Sequence, residues 1–108
     1  MIWHVTDQGR IELRLRAEGE EAIKVARVKA DTFIANIVTD LSGALGTDVI
    51  TDELRYSFSK VRPEVTIIWR ARVPEGSVAQ VQEYLAELGG SMDGDEGGET
   101  VAGTVIPE

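Results

Sequence analysis

Residues 18–43 read EGEEAIKVARVKADTFIANIVTDLSG, and the fold turns on whether this stretch is one helix or a strand followed by a shorter helix. Ile23, Ala26, Ala30, Phe33, Ile34, Ile37, Val38 and Leu41 fall on one stripe at helical spacing, with Arg27 as the intruder. Glu20 and Glu21 suit the positive end of a helix dipole, and Gly43 is placed to close the last turn. The competing reading makes AIKVARV a third strand after an EGE turn, with Asp31 capping a shorter helix. The unbroken stripe favours a single helix over residues 20–42.

Before this helix, IWHVT and RIELRLRA flank DQG, where Gly9 can take the left-handed position of a bulged hairpin turn. After it, beyond GALGTD, the stretches ELRYSFSKV and EVTIIWRARV alternate apolar and polar residues and are joined across RP, where Pro63 interrupts pairing. Ser77 with Gln80 three residues on forms a capping-box pattern, and Val78, Val81, Leu85 and Leu88 recur at helical spacing as far as Gly89 and Gly90. The order is therefore ββαββα, an α+β chain. Two helices cover one face of a four-stranded, mainly antiparallel sheet in a two-layer sandwich. Residues 1–90 form this single domain, residues 91–100 an acidic Gly-rich linker, and residues 101–108 a segment whose VAGTVI is a candidate edge strand.

Side chains alternate across a strand, so the helix-facing set (Ile11, Leu13, Leu15; Leu54, Tyr56, Phe58; Val65, Ile67, Trp69, Ala71, Val73) fixes what faces away. Arg10, Arg14, Arg16, Arg55, Arg70 and Arg72 then share the open face with Glu12 and Glu53. Like charges opposite one another across strands are destabilising, so such a face calls for counter-charge. A partner protein can supply it, and so can the chain's own tail, where Asp93, Asp95, Glu96 and Glu99 sit close together. Arg14, Arg16, Arg55, Arg70 and Arg72 are accordingly the expected partner-binding residues. A plainer reading holds that a solvated sheet face is simply polar, with arginine stems covering the backbone.

The net charge of −8 is uneven: 11 basic and 14 acidic side chains fall in residues 1–91, and five acids with no base in residues 92–108. An acidic chain whose aromatics have core parity is a poor nucleic-acid binder. Absence of cysteine removes disulfides, thiolate metal sites and a cysteine nucleophile. No segment is apolar enough for a membrane span, and MIWHVTDQGR lacks the pattern of a signal peptide, so a cytoplasmic location is expected.

Chemistry-bearing motifs are sparse. His4 is the single histidine; Asp52 and Glu53, read as neighbours in a strand, point to opposite sides; no phosphate-binding glycine loop is complete. An EF-hand counted from Asp93 puts Gly97 and Thr104 where acids are needed. No enzyme activity, cofactor or metal is expected. Three readings stand: an interaction or regulatory module binding another protein or forming a homo-oligomer through its open face; an oligomeric ligand-binding or catalytic domain; and an acidic inhibitor of a nucleic-acid-binding protein.

Overall fold

A computed structural model describes residues 1–91 and 102–106. The chain runs β1 (Ile2–Thr6), β2 (Arg10–Glu18), α1 (Glu20–Leu45), β3 (Ile50–Phe58), β4 (Glu64–Arg72), α2 (Val78–Ser91) and β5 (Ala102–Ile106). This is the expected α+β sandwich, with the C-terminal strand added. The sheet order is β3-β4-β2-β1-β5; β1 to β4 pair antiparallel with their neighbours, and β5 lies parallel to β1 at the edge.

Residues 18–43 resolve in favour of the helix. Ala26, Ala30, Ile34, Ile37 and Leu41 are its buried residues, a spacing of three and four that keeps them on one side. The helix runs beyond the expected closure. Leu45 packs against the core, so Gly46 rather than Gly43 takes the left-handed conformation (φ 69°) and donates its N–H to the Ser42 carbonyl at 3.0 Å. The Ser42 hydroxyl then accepts the Val49 N–H at 3.2 Å and leads the chain into β3.

At the first hairpin Gly9 has φ 91° and donates to the Thr6 carbonyl at 3.1 Å. Its own carbonyl accepts the Val73 N–H at 2.8 Å, fastening the turn to the end of β4. The second hairpin turns through residues 59–63. There the Ser59 hydroxyl accepts the N–H groups of Val61 and Arg62, and the Pro63 carbonyl accepts the Gly19 N–H at 2.7 Å. Ser77 closes a 3-10 turn (Glu75–Ser77) ahead of α2, and α2 continues through both glycines to Ser91 instead of stopping at them.

One core joins Trp3, Val5, Ile11, Leu13, Trp69 and Ala71 of the sheet to Ile34, Ile37 and Leu41 of α1 and Val81 and Leu85 of α2, so both helices occupy the same face. α1 packs on β2 and β4, whereas α2 packs on β1 and β5. β3 therefore lies at the margin. Leu54 and Tyr56 are half-buried, and Phe58, although it has core parity, is 53% exposed.

Candidate interaction face

The ladder registers arrange the opposite face in rows. Arg72 stands between Arg10 and Ile50; Arg70 between Glu12 and Glu53; Ile68 between Arg14 and Arg55; Thr66 between Arg16 and Ser57. All five expected partner-binding arginines thus lie on one continuous surface. Acids stand among them.

Glu12 is the hub. Arg70 Nε donates to its Oε2 at 2.9 Å, Arg14 Nε donates to its Oε1 at 3.0 Å, and His4 Nε2 lies 3.6 Å from Oε1. Burial pushes the Glu12 carboxyl up, but the hydrogen bonds from Arg70 and Arg14, with the charges of Arg14 and His4, outweigh it and hold the group below the ordinary carboxylate value. Arg70 also reaches Glu53 Oε1 at 3.0 Å, so its guanidinium spans three strands.

Asp52 supplies a further acid that the alternating pattern concealed. Thr51 pairs with Ala71 and Glu53 with Arg70, leaving Asp52 as the extra residue of a β-bulge. The two neighbouring acids are therefore not on opposite sides. Both reach the open face, where Asp52 accepts from Arg72 Nε at 2.9 Å. The bulge also keeps Thr51 on the core side, where its hydroxyl accepts the indole N–H of the buried Trp69 at 3.0 Å. In the sequence the sole trace of this is the doublet Asp52-Glu53 before an otherwise regular alternation.

Two further arginines pair with acids of their own strands. Arg16 pairs with Glu18 at 3.1 Å, and Arg55 lies 3.9 Å from Glu53. Ile68 is 6% exposed in spite of facing outward, because the alkyl stems of Arg14 and Arg55 stand on either side of it. Much of the counter-charge that such a face calls for is therefore supplied by the face itself. Asp93, Asp95, Glu96 and Glu99 lie outside the described residues.

A depression of about 260 Å³ opens on this face between His4, Thr6, Arg10, Glu12, Asp52 and Arg70. Among the described residues no group of three or more His, Cys, Asp or Glu side chains is arranged to hold a metal ion, and no helix is long and apolar enough to cross a membrane. On the helix side, Tyr56 donates its hydroxyl to the Asp31 carboxylate beneath the Arg27 guanidinium, which sits 4.8 Å from the ring centroid. Arg27, the intruder on the helical stripe, is thereby explained as the cover of an aromatic ring. No family model matches the chain, and neither a curated protein nor a solved structure matches it.

Proposed function

We propose that the protein is a small, non-enzymatic interaction or regulatory module of the cytoplasm that receives another protein on its arginine-bearing open sheet face. The observation carrying this reading is the cross-linked order of that face. Arg14, Arg70 and Arg72 are each held through Nε by a carboxylate, while their side chains remain 51%, 46% and 56% exposed. A guanidinium fixed at Nε still presents terminal N–H donors to solvent, and a pre-ordered side chain loses less entropy when a partner carboxylate or carbonyl arrives. Arginine is also among the residues enriched at protein interfaces.

Site-specific photo-cross-linking in the cell of origin tests the reading. A photoreactive residue at Thr66, between Arg16 and Ser57 on the open face, should give a discrete protein adduct that disappears in the Arg14→Ser/Arg16→Ser double variant. A probe at Val28, 69% exposed on the outer side of α1, should give none. Adducts from Val28 with none from Thr66 would refute the proposal.

A second reading has one observation in its favour. A groove of about 220 Å³ runs between α1 and the end of β2, lined by Leu15, Ala17, Ala26, Ala30 and Phe33 with Arg16 and Lys29 at its rim. It suits a short apolar molecule with an anionic end. Mass spectrometry of solvent extracts from the native protein decides whether such a ligand copurifies.

A further inference from the structure

β3 is an outer strand of the sheet. It pairs with β4 on one side, so along its other side a row of backbone donors and acceptors faces outward. Strands in this position are usually shortened, bulged, interrupted by proline or guarded by charged side chains, lysine above all. β3 is nine residues long, ITDELRYSF, and contains neither proline nor lysine. Its bulge lies at Asp52, and from Glu53 to Phe58 its ladder with β4 is regular. Large apolar side chains mark both ends: Ile50 is 51% exposed, Phe58 is 53% exposed, and Val61 in the following loop is 86% exposed.

We propose that β3 pairs antiparallel with β3 of a second copy of this chain, about a two-fold axis through Leu54. Under such an axis the residues on either side of Leu54 exchange places between copies, as an isologous interface requires. Glu53 then faces Arg55 of the second copy, and Arg55 faces Glu53 of the second copy. Both residues sit on the open face and both have capacity for the contact. Glu53 binds Arg70 through Oε1, while its Oε2 is 3.9 Å from Arg55, whose side chain is 53% exposed. On the helix side the two half-buried Leu54 side chains meet at the axis. Other registers lose this match. An axis through Arg55 sets the two Arg55 side chains against each other, and an axis through Tyr56 places Arg55 opposite Ser57 and leaves Glu53 opposite Ser59. Opposite charges in directly facing positions stabilise a strand pair and like charges oppose it, so the charges choose both the partner and the register. The result is a continuous sheet through two copies, the strand-addition mode used between identical edges. This pairing is independent of the open-face reading, whose test uses Arg14 and Arg16 of β2.

Sedimentation velocity of the full chain over a wide concentration range should show a monomer–dimer equilibrium. Arg55→Glu and Glu53→Arg should each raise the dimer dissociation constant about tenfold or more, because each alone sets like charges in both facing pairs. An equimolar mixture of the two variants should recover the dimer, since in the proposed register the Glu53→Arg copy presents two arginines to the two glutamates of the Arg55→Glu copy, and both facing pairs are again of opposite charge. A wild type that stays monomeric throughout, or a mixture that fails to recover the dimer, overturns the proposal. Glu53→Arg also removes a partner of Arg70. If circular dichroism shows that this variant does not fold, Arg55→Glu decides alone: a weakened dimer supports the pairing, and an unchanged dimer overturns it.

Discussion

Glu12 orders more of the open face than any single arginine does, because two guanidinium groups and His4 converge on one carboxylate. Its folded-state pKa is depressed, so its contribution to stability is present above the ordinary carboxylate value of 4.5 and is lost as the pH falls through the lower folded value. Glu12→Gln should therefore lower the melting temperature at pH 7, and the difference from the wild type should shrink below pH 4.5. A pH series of thermal melts measures both. The two tyrosines behave in the opposite sense. Burial, then the hydrogen bond and charge of Asp31, push the Tyr56 hydroxyl up to about 12 against the opposing charge of Arg27. Burial, then the charge and hydrogen bond of Asp40, push the Tyr84 hydroxyl up to about 12. The stability tied to them is complete below pH 10 and is lost as the pH rises towards 12. Phenolate absorbance should thus lag behind that of the denatured chain, which has no other tyrosine to contribute. Gly9 makes a third demand at this scale. A Cβ there would lie 2.2 Å from the Val73 carbonyl oxygen, on a backbone with φ 91°. Gly9→Ala should cost roughly 1–3 kcal/mol from conformation alone, with a further loss as the turn separates from β4, measured by chemical denaturation.

At the scale of elements, α1 is anchored by residues that a single sequence already displays. Ile37 is 1% exposed within the joint core, and Ile37→Ala should cost about 2–5 kcal/mol in denaturant titrations. The helix, both hairpins and the parity of the arginine strands were legible because each rests on a local period that burial enforces. Three features were not. The extension of α1 to Leu45 depends on a hydrophobic contact at its end, which outweighed Gly43 as a stop. The passage of α2 through Gly89 and Gly90 shows that two weak helix formers need not end a helix. The bulge at Asp52 reverses the alternation within β3 and brings a further acid to a face on which Glu12, Glu18, Glu53 and Glu64 already pair with arginines. Such a bulge is specified by the pairing of β3 with β4, including the bond from Trp69 to Thr51, and so cannot be read from β3 by itself.

For the molecule as a whole, β5 lies in register along all of β1, from Ile2 opposite Ala102 to Thr6 opposite Ile106, and α2 packs on both strands. Removing residues 92–108 should therefore lower the melting temperature and speed amide exchange in β1, because the truncation strips that strand of one neighbour. At this scale the arginines of the open face owe their order to acids of the same sheet. Nitrogen–proton spectra of the arginine Nε–Hε groups test this most directly, since Arg14, Arg70 and Arg72 all donate through Nε. Replacing Asp93, Asp95, Glu96 and Glu99 together by their amides should leave these three signals in place, and Glu12→Gln should shift those of Arg14 and Arg70 while sparing Arg72. Signals that move on neutralising the tail and stay fixed in Glu12→Gln would contradict the account.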